Sequence, residues 1–265
     1  MNPNIAIAIL LITFVLLIMI KCPITFSMII STAFTMLYIQ VPVMTLVQQM
    51  SKQLNSFSLL AIPFFILMGE IMAAGGISSR LLAFANVCVG QITGGLAHVN
   101  VLASMLFGGI SGSAIADVSS LGALEIPMME EAGYEKDFSI AVTVASSCQG
   151  LIIPPSHNMV LYSMVAGGVS VGSLFCAGYI PGIMLGVFIM GMCYIISKKK
   201  HYPKGKKLPF KEALRVTKDT FFAMLAMVII IGGVSAGFFT ATESAAVACI
   251  YCLFVGFFIY RELRF

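Results

Sequence analysis

Long apolar runs parted by short polar breaks give the first set of elements. A membrane-spanning helix needs roughly 20 apolar residues. Residues 4–20 and 23–41 meet that length, separated by Lys21. Residues 42–56 mix Gln48, Gln49, Lys52, Gln53 and Asn55 among apolar positions, the pattern of a helix lying in the membrane interface. Residues 57–74 span again and carry Glu70, and 78–90, containing Arg80, predict a short amphipathic connector. Towards the end, 171–196 span, 208–219 predict an amphipathic helix, and 221–239 and 245–260 span.

Two stretches depart from this rhythm. Residues 96–131 consist of two apolar pieces joined by Ser111-Gly112-Ser113-Ala114-Ile115-Ala116-Asp117. At 1.5 Å per residue each piece reaches about 20–25 Å, short of a ~30 Å hydrocarbon core. A re-entrant helical hairpin with its tip inside the protein fits that length. Residues 138–166 form an apolar run interrupted by Pro154-Pro155-Ser156-His157-Asn158, which predicts a proline-broken helix.

Composition changes the picture by excluding a soluble domain. Apolar residues make up 59% of the 265 and charged residues 10%, against about 25% charged in soluble domains. The fold class is therefore an all-α polytopic membrane protein. The net charge of +4 is concentrated in residues 198–219 (Lys198, Lys199, Lys200, Lys204, Lys206, Lys207, Lys211, Arg215 and Lys218 against Glu212 and Asp219), which reads as a cytoplasmic segment facing anionic lipid rather than nucleic acid. Counting helices from there also places Lys21, Arg80, Lys136, Arg261 and Arg264 inside and the N-terminus outside, provided 96–131 enters and leaves on one side. The cysteines are expected to pack between helices, including the Cys249/Cys252 pair, which has no partner pair for a metal. No nucleophile–base pair, phosphate loop or metal motif is present, so an enzyme is not expected.

The two breaks carry the candidate chemistry. At the hairpin tip the first half-helix ends near Gly108-Gly109-Ile110-Ser111 with unpaired carbonyls, and the second starts near Ser113 with unpaired N–H groups. Such a tip can hold a cation through oxygens and an anion through N–H donors. The Pro154-Pro155 break frees further carbonyls. Oxygen ligands at both breaks suit a hard cation such as Na⁺. Asp117, one turn into the second half-helix, reads as a supporting residue. Glu70 is either a proton site or a partner for Arg80, the pairing being preferred. Thr240 and Glu243 have the spacing of a capping box, and His98 and His157 read as hydrogen-bonded histidines.

Four blocks taken together, PFFILMGEIMAAGGISSRL (63–81), GGLAHVNVLASMLFGGISGSAIAD (94–117), IIPPS (152–156) and GFFTATESAAVACIY (237–251), resemble the large membrane (permease) subunit of tripartite ATP-independent periplasmic (TRAP) transporters, the DctM-like family. The resemblance implies one inverted-repeat half of an elevator-type secondary transporter of the bacterial inner membrane. It would import an organic anion (a C4-dicarboxylate, sialic acid or other sugar acid) coupled to Na⁺, with no other cofactor. A small DctQ-like membrane subunit and a periplasmic DctP-like solute-binding protein would be partners. Carried over residue by residue, Na⁺ would lie among Ser111, Gly112, Ser113, Ile153, Pro155 and Ser156. Substrate would face Ser111, Gly112, Ser113 and Ala114.

On this reading 1–56 are scaffold-type helices and an interfacial helix. Residues 57–197 form a transport-type unit, 198–219 a basic cytoplasmic loop and amphipathic helix, and 220–265 two further spans. His157-Asn158 and Ala241 depart from the family's usual residues. The family's second, inverted half has no counterpart in these 265 residues, so the chain is expected to be an N-terminal half, inactive without the other. The alternative is a stand-alone oligomeric channel or ion-binding scaffold.

Overall fold

The computed structural model describes residues 2–205 and 209–263. Lys206 and Lys207 of the basic loop, Leu208 at the expected start of the amphipathic helix, and Arg264 lie outside the described residues. Among the described residues there are helices and connecting turns, with no strand beyond an isolated bridge between Thr93 and Lys204. Contacts divide the chain into two units, Met1–Ser56 and Phe57–Phe265.

The first unit holds α1 (Pro3–Met19), α2 (Ile24–Tyr38) and α3 (Met44–Leu54). Pro3 sits at the start of α1, where its missing N–H costs nothing. Helices α1 and α2 pack together, yet only Ser27 and Ser31 of α2 are buried. Their hydroxyls, with those of Thr32 and Thr35, donate to carbonyls of their own helix at 2.7–3.2 Å. That leaves no unsatisfied donor for a lipid environment to penalise. Helix α3 separates its polar and apolar residues and buries none of them, as an interfacial helix would.

In the second unit a 3-10 turn at Phe57–Leu60 leads into α4 (Ala61–Ala74), followed by α5 (Ile77–Val89) and α6 (Gly95–Ser111). The hairpin returns through α7 (Ala114–Ser120) and α8 (Gly122–Glu131). Then come α9 (Lys136–Ser147), α10 (His157–Ala166), α11 (Val171–Lys199), α12 (Phe210–Ser235) and α13 (Ala241–Phe254). The main core is built by α4, α5, α6, α12 and α13 around Phe65, Met68, Leu81, Phe107, Ile230 and Ala245. The outer surface is as apolar as the core: Ile180, Val187, Phe188 and Ile195 of α11 are all exposed. Three helical stretches, Phe57–Ala74, Val171–Lys199 and Ala241–Ile259, are long and apolar enough to cross a membrane. This is a multi-pass membrane protein whose apolar outer face is solvated by lipid.

The hairpin reading holds in detail. Asn100, near the start of α6, lies against Met129, near the end of α8, so the chain leaves on the side where it entered. The return limb is divided at Leu121 into α7 and α8, with Leu121 itself in helical conformation. Pro127 inside α8 removes one backbone N–H from the return limb. The capping box is present: Thr240 N–H donates to the Glu243 carboxylate at 2.8 Å, and Glu243 N–H donates to the Thr240 hydroxyl at 3.3 Å.

Several expectations are corrected. Residues expected as an amphipathic helix followed by a separate span form the single helix α12, because nothing between Asp219 and Phe221 breaks the backbone and Thr220 bonds back to Val216 at 2.9 Å. Arg80 does not pair with Glu70. It meets Glu262 at 2.7 Å, donates to the Gly76 carbonyl at 2.7 Å and lies 3.8 Å over the Tyr260 ring. Cys88, Cys148 and Cys176 are exposed rather than packed between helices, whereas Cys193, Cys249 and Cys252 are buried. His157 makes no hydrogen bond through Nδ1 among the described residues, and His98 interacts with the Thr93 backbone. His98 also stacks on Tyr194.

The basic loop is partly a structural strap. Tyr202 stacks on Tyr134 at 4.4 Å and on Phe138 at 5.3 Å, and its hydroxyl accepts from Glu135 N–H. Lys200 pairs with the Glu135 carboxylate. The Glu135 carboxylate beside Lys200 raises the lysine's pKa from its ordinary value.

Candidate functional site

The site begins with how α6 stops. Gly112 adopts φ +64°, a left-handed conformation that costs a side-chain-bearing residue roughly 1–2 kcal/mol. Its N–H donates to the Gly108 carbonyl at 2.8 Å. The last carbonyls of α6 have no helical partner beyond it and carry partial negative charge. Ser113 is extended, and its hydroxyl accepts from Ala116 N–H at 3.3 Å to open α7. The Ser111 hydroxyl accepts from Ser113 N–H at 3.4 Å.

The second break is equally explicit. Helix α9 tightens into a 3-10 turn at Cys148–Leu151 and then stops, with Ile153 N–H donating to the Gln149 carbonyl at 2.7 Å. The Pro154–Pro155 bond is cis. Ser156 is extended, and its hydroxyl folds back to the Leu151 carbonyl at 2.8 Å instead of capping α10.

These two breaks meet. A Cβ added to Gly112 would lie 2.6 Å from the Pro155 carbonyl oxygen and 3.2 Å from Ser156 Cα. One added to Gly109 would lie 3.3 Å from the Ile153 side chain and 3.5 Å from the Pro154 oxygen. Behind the broken segment, α11 presents Gly178, Gly182 and Gly186 at four-residue spacing, so that they share one face. Their added Cβ atoms would meet the Ile152 oxygen at 2.4 Å, Ile153 Cγ1 at 2.4 Å and Gln149 Oε1 at 2.6 Å. A small-residue face of this kind lets backbones approach closely inside a membrane.

Ser111, Gly112, Ile153, Pro155 and Ser156 therefore share one locus of buried backbone oxygens and hydroxyls, with Ser113 at its edge. The locus opens onto a cleft of about 430 Å³ whose walls include Ser111, Ser113, Ser119, Ser120, Glu70 and His157. Gly112 and Ala114 are not in its lining. Glu70 is exposed on the cleft wall, and Asp117 points the other way, 1% exposed inside the hairpin. Reasoning from sequence missed Gly69, where an added Cβ would lie 3.4 Å from the Ser111 Cβ, and Gly150, which touches Gly108. Only the recurrence of glycine at contact spacing could have pointed to them.

Chemically, the locus offers neutral oxygens without thiolate or imidazole, which suits a hard cation. The cleft adds hydroxyls and one imidazole for a polar ligand.

Comparison with known proteins identifies the family. The family model described as "Tripartite ATP-independent periplasmic transporter, DctM component" matches residues 11–265. The chain is 44% identical over 242 residues to the sialic acid TRAP transporter large permease protein SiaM of Vibrio cholerae, covering 91% of this chain and 56% of that protein. It is 44% identical over 208 residues to the C4-dicarboxylate TRAP transporter large permease protein DctM of Pseudomonas aeruginosa, covering 78% and 48%. To the uncharacterized protein YgiK of Salmonella typhimurium it is 42% identical over 255 residues, covering 95% and 58%. The chain thus spans about half the length of the curated relatives it matches. It belongs to the DctM family of TRAP transporter large permeases.

Proposed function

We propose that this chain acts in the large membrane subunit of a TRAP-type secondary transporter that imports an organic anion together with Na⁺ across a bacterial inner membrane. The observation that carries this is the contact of the hairpin tip with the proline break at Gly112 and Pro155, which gathers oxygens from two chain interruptions at one buried point. On this reading Na⁺ is held by Ser111, Gly112 and Ser113 with Ile153, Pro155 and Ser156, and the substrate carboxylate approaches Ser111, Gly112, Ser113 and Ala114 from the cleft. The relatives are named for sialic acid, C4-dicarboxylates and 2,3-diketo-L-gulonate, all of them organic anions. Asp117 and Glu70 stand outside the tip's cation shell.

The N-terminus faces the periplasm and the 198–218 segment the cytoplasm, following the basic residues. A small DctQ-like subunit and a DctP-like solute-binding protein are the partners. The relatives named permease protein SiaT and DctMQ are consistent with such an assembly.

The test is maleimide labelling of Ser119→Cys, an exposed position on the cleft wall outside the ligand set, in nanodiscs, with the exposed Cys88, Cys148 and Cys176 replaced by alanine. Na⁺ should slow labelling several-fold and K⁺ should not, and Gly112→Ala should abolish the Na⁺ effect. Equal rates in both salts would sink the reading.

A further inference from the structure

Glu70 is an ionisable residue that neither the fold nor the ion locus uses. It belongs to Phe57–Ala74, a stretch apolar enough to cross a membrane, where ionisable side chains are rare and mark function. Among the described residues its carboxylate has no ion pair or hydrogen bond. Arg80 is committed to Glu262, Gly76 and Tyr260.

Two different elements bring Glu70 and His157 to the hairpin tip. On α4, a Cβ at the neighbouring Gly69 would lie 3.4 Å from the Ser111 Cβ. At the start of α10, the His157 backbone nitrogen lies 3.3 Å from where a Cβ on Gly112 would be. Both side chains line the cleft with Ser111 and Ser113. The Ser111 and Ser113 hydroxyls each accept a backbone N–H, at 3.4 and 3.3 Å, so their own protons remain for a ligand.

The charges on this wall are lopsided. It carries hydroxyls, one imidazole and one carboxylate, with no lysine or arginine among the described residues. The tip protons and the His157 ring can meet one carboxylate of a ligand. A second carboxylate would find no guanidinium or ammonium to hold it and would face Glu70 instead. Like charges set against each other in this way reject a ligand. Hydroxyl groups fit the same position, because an ionised carboxylate only accepts hydrogen bonds.

We propose that Glu70 sets the substrate class of the cleft: a monocarboxylate carrying hydroxyl groups. Its carboxylate lies at Ser111, Ser113 and His157, its hydroxyls donate to Glu70, and dicarboxylates are turned away. This rests on the cleft being the substrate site of the proposed transporter and narrows what that site accepts.

The experiment is equilibrium dialysis of ¹⁴C-gluconate against the wild-type chain in neutral-lipid nanodiscs with Na⁺, competed by unlabelled gluconate, glucarate or butyrate. Glucarate is gluconate with a second carboxylate at its far end, and butyrate has no hydroxyls. Gluconate should bind at least about tenfold more tightly than either. In Glu70→Gln, glucarate should approach gluconate to within a few-fold, whereas loss of a merely structural carboxylate would weaken both alike. The proposal is overturned by wild-type chain that binds glucarate as tightly as gluconate, by an unchanged ratio in folded Glu70→Gln, or by no bound gluconate at millimolar concentration. If Glu70→Gln does not fold, the wild-type ratio decides. The Na⁺ effect on Ser119→Cys labelling is read without any organic anion. Its loss counts against the ion reading alone, and a reversed gluconate–glucarate ratio counts against Glu70 alone.

Discussion

Gly108 of the hairpin and Gly150 of the broken segment touch backbone to backbone: a Cβ on Gly108 would lie 2.5 Å from the Gly150 Cα. No rotamer change can relieve that overlap, because the obstacle is main chain. Gly108→Ala should therefore destabilise the chain by about 1–3 kcal/mol, the range for overpacking a tight interior. Gly191→Ala, also in a helix but with nothing within 4 Å of an added Cβ, should be neutral or gain up to ~1 kcal/mol of helix propensity. Thermal melting in detergent would compare the two.

The glycine face of α11 should show a graded response. Gly178→Ala meets a backbone oxygen at 2.4 Å, and Gly182→Ala meets the side chain of Ile153 at 2.4 Å. Gly178→Ala should cost more, and Ile153→Ala, which removes the Cγ1 atom that Gly182→Ala meets, should cost less in the Gly182→Ala background than in Gly178→Ala. Melting temperatures of the four proteins check the ordering.

Asn100 joins α6 to α9 through two side-chain hydrogen bonds of 2.7 Å each. Asn100→Leu should leave the buried Ser146 hydroxyl only its longer bond to the Thr143 carbonyl at 3.1 Å and cost about 0.5–1.5 kcal/mol per hydrogen bond lost. Asn100→Leu/Ser146→Ala should cost less than the sum of the two single changes, measured as a double-mutant cycle by chemical denaturation.

Arg80 has three partners and Glu262 is one of them. With side chains 25% and 43% exposed, the ion pair alone contributes ~0–1 kcal/mol. Arg80→Ala should therefore destabilise more than Glu262→Gln, because it also removes one of the Gly76 carbonyl's donors, Ser79 being another, and the cation over Tyr260. The comparison of melting temperatures reads this directly.

The strap has a defined alkaline limit. Pairing with Glu135 raises the Lys200 pKa, so the pair's contribution is fully present below the ordinary lysine value of about 10.4 and fades as pH rises through the higher folded value. Nicking of the 200–205 segment by an alkaline protease should stay slow to about pH 10 and accelerate above it. In Lys200→Met it should be fast throughout.

Much of this architecture is legible in the residues. Run lengths place the helices, and the clustered lysines and the two interruptions point to a hairpin and a broken helix. The tip residues Ser111 to Ser113 and the break at Ile153, Pro155 and Ser156 can be named because each interrupts its own helix locally. The partner of Arg80 could not be read: Glu262 lies 182 positions away, and chain proximity favours Glu70. The continuity of α12 through Asp219 and Thr220 does not follow from hydropathy, which drops there while the backbone carries on. The burial of Asp117 and Glu125 was hidden because periodicity gives a shared face without saying which face is buried. Only the packing of α6 and α9 settles that.

The hairpin is fastened at both of its ends, at the tip by the Gly112–Pro155 approach and at the base by the stack of Tyr202 on Tyr134 and Phe138. A limb pinned twice cannot swing about either pin without tearing the other. Whatever displacement the protein undergoes, the two limbs, α9 and the strap must travel as one piece of cargo. Spin labels on α8 and α9 would keep a single narrow distance distribution in every ionic condition.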